Sequence, residues 1–370
     1  MIDRLPPGGG LVKRESTRPH PKRALIAALA VLAGLSGCAT EPEPSAAGGE
    51  PSAPETVAGS VPAFPAADLV WTESVRSPVA LYESQGLAAR GRLYVFGGYH
   101  NKQIEASSES LAFDPAAERW TRLAPLPAPV THAGQALFGD DIYLAGGFLG
   151  NHPGPPTDHV WVYNTKADTW AAGPPLPEKI GGGALVQLGG RLHFFGGTVR
   201  EGEFYLRDSP RHWVLDLKAG RATWAAAADL PNPRNHIGGA VLGGKLYAVG
   251  GQRLGDEVTG NRADVSAYDP DTDRWEAVAD LPLPLGHISA ATFAYRGRLM
   301  VVMGTTQGRK KTPEIFAYDP AADRWDRLTS MPGARSATVA GVIAGELVLS
   351  TGTVAGGPLD TTWVGRWDED

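Results

Sequence analysis

The chain has 370 residues and a formal net charge of −6; residues 1–37 hold six Lys or Arg against two Asp or Glu, so the remainder carries −10. A surface that acidic argues against nucleic acid as the partner. With 47 Gly, 31 Pro and ten each of Trp, Tyr and Phe, the chain is too aromatic for a disordered polymer and too rich in turn formers for a helical one, which leaves many short strands.

Lys13, Arg14, Arg18, Lys22 and Arg23 precede an apolar run, Ala24 to Leu35, that ends in Leu35-Ser36-Gly37-Cys38. The run falls short of the roughly 20 apolar residues a membrane-spanning helix needs, but it suits the core of a signal peptide. Leu-Ser-Gly-Cys resembles the bacterial lipobox, which implies export, cleavage before Cys38 and a lipid on its thiol. Cys38 is the only cysteine, so no intramolecular disulfide can form. Residues 1–37 therefore read as a lipoprotein signal peptide. The implied address is a bacterial membrane: Ala39 is not the aspartate that retains lipoproteins at an inner membrane, which favours the outer membrane, facing the periplasm or the cell surface. Residues 38–67, rich in Pro, Ala, Ser, Gly and Glu with few large apolar residues, are expected to be a disordered tether.

Beyond the tether, glycine doublets or their degraded forms stand at Gly97-Gly98, Gly146-Gly147, Gly196-Gly197, Gly250-Gly251, Met303-Gly304 and Thr351-Gly352, spaced by 49, 50, 54, 53 and 48 residues. Each ends a strand-like run, from RLYVF to ELVLS, whose near-continuous apolar character marks strands covered on both faces. The first five doublets are followed by turn sequences such as FDPAAERW and YDPDTDRW, ending at Trp120, Trp170, Trp224, Trp275 and Trp325. Asp-Pro pairs are hairpin-turn chemistry. A Pro-containing segment then leads into the next repeat, so one repeat holds four strands.

A fifty-residue period with a glycine doublet followed by Tyr and Trp resembles the Kelch repeat, and such periods mark propellers and solenoids. The resemblance covers roughly residues 69–370. It implies an all-β fold, a six-bladed Kelch-type β-propeller over residues 68–370. Trp71 stands 49 residues before Trp120 without a doublet of its own. It reads as the outermost strand of a last blade completed by the C-terminal residues, and such closure removes exposed sheet edges.

The Trp residues and doublets read as structural. His132, His236 and His287 stand before the first, innermost strand of three repeats, where they would surround the mouth of the channel. The loop after each doublet and the connection between blades open on the same face, and function on a rigid scaffold concentrates in such loops. Arg200, Glu201, Arg253, Arg309 and Lys310 lie on these loops, and Arg234 and Arg335 recur 16 residues before their doublets. These residues form the candidate ligand site, with Cys38 as the lipidation site.

Chemistry is less marked. A copper oxidase of the galactose-oxidase kind needs a cysteine cross-linked to tyrosine, and the one cysteine here is assigned to lipid. The periplasmic sialic acid mutarotases are also six-bladed Kelch proteins; Glu257 and Arg262, followed by Asp264, loosely resemble their Glu/Arg pair. His152, Asp158 and His159 share a loop but match no familiar zinc spacing, so neither metal nor cofactor is expected. The sequence thus points to a monomeric, lipid-anchored binding module for a protein or glycan, with a sugar mutarotase as the alternative.

Overall fold

The computed structural model describes residues 64, 68–201, 205–219, 223–254, 260–355 and 357–368. The signal peptide, Cys38, nearly all of the tether and Glu257 lie outside the described residues. Gly59–Asp370 make up one compact unit, and within it the described residues fold as a six-bladed β-propeller of six four-stranded antiparallel sheets.

The first blade runs outward from Gln85–Ala89 through Arg92–Phe96 and Ser110–Asp114 to Arg119–Arg122. Four more blades follow in the same order, with innermost strands Gly134–Phe138, Ala184–Leu188, Gly238–Leu242 and Thr292–Tyr295. The sixth blade joins both ends of the described chain. Val339–Ile343, Glu346–Ser350 and Thr362–Trp367 supply three strands, and Leu69–Ser74 pairs antiparallel along the last of them, Leu69 opposite Trp367.

The second strand of each blade is buried because sheets cover it on both faces: Leu93, Val95 and Phe96, or Leu246, Ala248 and Val249, have no exposed surface. Side chains of neighbouring blades interlock between them. Phe96 meets Trp170 edge to face at 5.2 Å, and Phe195 meets Trp275 at 5.3 Å. The indole N–H of each repeat Trp then reaches a backbone carbonyl one repeat back: Trp170 donates to Ala124 at 2.8 Å, Trp224 to Pro174 at 3.0 Å, Trp275 to Ala228 at 2.8 Å and Trp325 to Ala279 at 2.9 Å. Aspartates one turn before three of these tryptophans make the companion bond. Asp168, Asp273 and Asp323 each accept a Tyr hydroxyl from their own blade and a backbone N–H from the preceding one. The repeat sequence thus encodes the seam between blades as well as the strands.

The doublets permit close approach of backbones. Gly146 holds φ +67°, and a Cβ there would stand 2.5 Å from the carbonyl oxygen of Ile180 in the next blade. In the fifth blade a short 3-10 turn, Ser289–Ala291, precedes the innermost strand. Gln135 of the opposite second blade donates to its Ser289 carbonyl at 2.8 Å and so bridges the propeller axis.

Candidate functional site at the channel mouth

The connection that enters each blade places one residue in the left-handed backbone region just before the innermost strand. The six are Glu83, His132, Gly182, His236, His287 and Ala337, with φ between +52° and +70°. Backbone bonds link them around the axis: Gly182 N–H donates to His132 at 2.8 Å, His236 N–H to Gly182 at 2.8 Å and Ala337 N–H to His287 at 3.0 Å. One ring therefore carries a carboxylate, three imidazoles and two positions with almost no side chain.

The polar groups converge. His132 and His236 meet edge to face at 4.6 Å, as do His236 and His287. The Glu83 carboxylate lies between them: Oε2 stands 3.4 Å from His132 Nε2, and Oε1 accepts a hydrogen bond from His287 Nδ1. Burial would raise the Glu83 pKa, but the neighbouring His287 and His132 imidazoles, the hydrogen bond from His287 and the nearby His236 together hold it well below the usual carboxylate range. Beside it, burial and then the Glu83 charge push the Tyr82 hydroxyl up to about 12.

Around this ring lies a cavity of about 560 Å³ whose wall includes Tyr99, Phe148, His152 and Leu206 and whose cations are Arg200, Arg309 and Lys311. Arg200 is anchored by donating to the Gly154 carbonyl at 2.9 Å, and Lys311 donates to Thr305 Oγ1 at 3.2 Å. The opposite end of the axis holds a second cavity, of about 550 Å³, lined largely by small and apolar residues of the innermost strands such as Gly86, Ala88 and Gly239.

The structure brings together His132, His236 and His287 and sets Arg200 and Arg309 on the same cavity. Lys310 is exposed between Arg309 and Lys311, Arg253 is exposed beyond Gln252, and Glu201 is exposed and paired with Arg207 at 2.5 Å. Arg335 is not brought to the cavity. It is buried, and its guanidinium donates to the Thr351 carbonyl at 3.0 Å and to Thr361 Oγ1 at 2.8 Å. Arg234, at the entry to the fourth blade, is buried in the same way and donates to the carbonyls of Gly250, Ala248 and Asn232 at 2.7–2.9 Å. Burial pulls both guanidinium groups down to about 10, so they remain cations at neutral pH. Arg262 pairs with Asp264 at 2.7 Å.

Sequence reasoning passed over Glu83, although a signal was present: it stands 14 residues before Gly97, the spacing His132 and His236 keep from their own doublets. His287 stands 16 before Met303, the Ser289–Ala291 turn lying in that interval. The grouping of Glu83, His132 and His236 also departs from the expectation of no metal-ligand set, because its members come from three blades rather than one local motif.

A six-bladed propeller with twin glycines, interblade tryptophans and a polar mouth is the architecture of Kelch-repeat proteins. The family model for the KLHDC2/KLHL20/DRC7 Kelch-repeats domain matches residues 133–357, more than half of the chain, and the chain belongs to the Kelch-repeat family. It is similar to a Kelch repeat-containing protein of Arabidopsis thaliana, 25% identical over 80% of this chain and 74% of the relative. It is also similar to Kelch-like protein 35 of Mus musculus, 29% identical over 53% of this chain and 31% of the relative. A third relative is Kelch-like protein terF of Aspergillus terreus, 27% identical over 66% and 54%. The chain thus spans about half or less of the mouse and fungal proteins. Kelch-repeat propellers are typically protein-interaction modules, and neither the family match nor these relatives support the sugar mutarotase alternative.

Proposed function

We propose that this chain is a lipid-anchored binding module of a bacterial envelope that receives an acidic segment of a partner protein in the cavity at the loop-face mouth. The observation that carries this reading is the pairing of apolar wall with cationic rim: Phe148 and Leu206 offer surface to an extended segment, and Arg200, Arg309 and Lys311 offer charge to an anion. The rest of the protein is acidic, so these three cations give the cavity a local preference opposite in sign to the net charge. Glycans form the second reading, because Tyr82 and Tyr99 hold their rings 5.4 Å apart beside Glu83 and offer aromatic faces to a sugar. The lipid at Cys38 and residues 39–67 would hold the propeller at a membrane surface.

The test uses full-length protein and its Cys38→Ala form. Wild type is expected in the membrane fraction and Cys38→Ala in the soluble fraction; retention of a folded Cys38→Ala protein in membranes would end the anchoring reading. The soluble form is then screened against peptide and glycan arrays, with Arg309→Glu/Lys311→Glu and Asp271→Lys as paired variants. Loss of the selected ligands with the first variant and retention with the second is expected, since Asp271 lies on the turns of the opposite face. The reverse pattern would move the site off the cavity.

A further inference from the structure

The side chains at the mouth constrain one another's protons. Asn235 donates its amide N–H to the buried carboxylate of Asp208, Nδ2 to Oδ1 at 2.5 Å, and Asp208 is held in turn by Thr198 Oγ1 at 2.9 Å and the Leu254 N–H at 2.8 Å. With its nitrogen so engaged, Asn235 turns its oxygen to His236 Nδ1, and an oxygen there requires that Nδ1 carry the proton. The Gln252 amide stands 2.9 Å from the same nitrogen, and with its oxygen turned that way it shares this N–H with Asn235. His236 Nε2 is then the acceptor nitrogen.

The same logic holds one blade-pair away. His132 Nδ1 stands 2.8 Å from Thr131 Oγ1, which also lies 3.4 Å from the Tyr99 hydroxyl; with its own proton turned to Tyr99, Thr131 accepts from Nδ1–H. His132 Nε2 is left as an electron-pair donor facing Glu83 Oε2, itself an electron-pair donor, at 3.4 Å. A charge-assisted N–H···O bond between them would close to about 2.7–2.9 Å. Two donors sharing one tetrahedral zinc, each at about 2.0–2.1 Å, stand about 3.3 Å apart. One ligand atom from each of Glu83, His132 and His236 lies within 4.8 Å of the other two.

We propose that Glu83, His132 and His236 form a binding site for a divalent first-row cation of the zinc type, with its fourth position facing the cavity. Two imidazole nitrogens and one carboxylate oxygen suit zinc better than the oxygen-seeking magnesium or calcium. The groups behind the ligands are those a metal site uses to aim them: Thr131 behind His132, Asn235 with Asp208 behind His236, and His287 on the second oxygen of Glu83. The left-handed backbone at all three ligand positions fixes where each side chain leaves the ring. The inference stands apart from the nature of the partner, since it needs only the ring. An ion there would add a site for a carboxylate or other anionic donor at the base of the cavity.

The test is direct metal binding by the full-length Cys38→Ala protein after dialysis against a chelator. Zinc is titrated in competition with a chromophoric chelator, and cobalt(II) is followed through its visible absorption, which is intense in a four-coordinate site. One ion per chain is expected, with a saturable cobalt band. His287→Ala should bind about 10–100-fold more weakly, as loss of a ligand-orienting group does. The His132→Ala/His236→Ala variant should lose saturable binding, whereas His100→Ala/His159→Ala should match the parent. Binding retained at parental affinity by the His132/His236 variant would overturn the proposal. So would the absence of any cobalt band in the parent at saturating metal, a reading that does not depend on whether a variant folds.

Discussion

His132 and His236 touch edge to face at 4.6 Å although they enter the second and fourth blades, because the third blade places Gly182 between them. Gly182 holds φ +70°, and a Cβ on it would meet the His236 backbone nitrogen at 3.3 Å and His236 Nδ1 at 3.5 Å. Gly182→Ala should cost about 1 kcal/mol from the left-handed backbone alone. It should also displace the His236 backbone by a few tenths of an ångström, and the ring with it. Chemical denaturation would report the first effect and histidine ring NMR shifts the second; an unchanged stability would show that the backbone there relaxes without strain.

Arg234 serves as an internal staple, and its loss should be far more damaging than that of any exposed arginine. Replacing it with Met keeps much of the volume but leaves the carbonyls of Gly250, Ala248 and Asn232 without this donor. The expected loss is about 3 kcal/mol or more, against about 0.5 kcal/mol for Arg253→Met at an exposed site. Urea unfolding of the two variants compares them directly. Similar midpoints would mean that the arginine bonds are replaceable by water.

Acid should destabilise the third blade through a buried pair. His193 Nδ1 lies 3.0 Å from His212 Nε2, and both residues are almost wholly buried. Burial, with the neighbouring imidazole and Arg191 adding to it, lowers the His193 pKa to about 3. Burial lowers that of His212 to about 4 against the opposing bond to the Ala228 carbonyl. The unfolded chain takes up these protons near pH 6.5, before the folded one does, so stability is full above about pH 6.5 and falls as the pH drops towards 4. At pH 5 the deficit is about 2 kcal/mol per histidine by linkage. Thermal unfolding between pH 7 and 5 should therefore show a shallower acid slope for His193→Phe than for wild type. Parallel slopes would remove this pair as the source.

Closure of the ring by Leu69–Ser74 predicts that a chain starting at Ser77 is crippled. The deletion strips the partner from Thr362–Trp367 and also removes the Val75 carbonyl, which accepts the Trp120 indole at 3.1 Å. An unpaired strand edge invites association with a second chain. Light scattering and a thermal scan should reveal aggregation or a clearly lower melting point. A truncated protein that melts as the intact one does would show that five blades and an open sixth suffice.

The period and the strands were legible because every blade repeats the same problem of burial: an apolar run, two residues able to turn sharply, and an aromatic to seal the next seam. The mouth was only half legible. His132, His236 and His287 are conspicuous in a chain with nine histidines, whereas Glu83 is one of forty acidic residues and gains meaning only when counted back from Gly97. Arg335 shows the converse. A cation recurring at fixed spacing can look like a ligand-binding residue, yet its side chain turns into the blade to meet carbonyls that no sequence pattern reveals.

The six left-handed positions have a consequence for how such a protein diversifies. The backbones of His132, Gly182, His236, His287 and Ala337 are tied by N–H to carbonyl bonds between connections, as from Ala337 to His287, and no side chain takes part in those ties. Chemistry at the mouth can therefore be exchanged one residue at a time, like lenses in a fixed turret, while the tryptophan seams stay as they are. Ala337 already adopts the conformation at φ +54° with the smallest side chain a chiral residue can have. A histidine or asparagine introduced there would present a further donor from a direction the present ring leaves bare, without asking the propeller to fold differently.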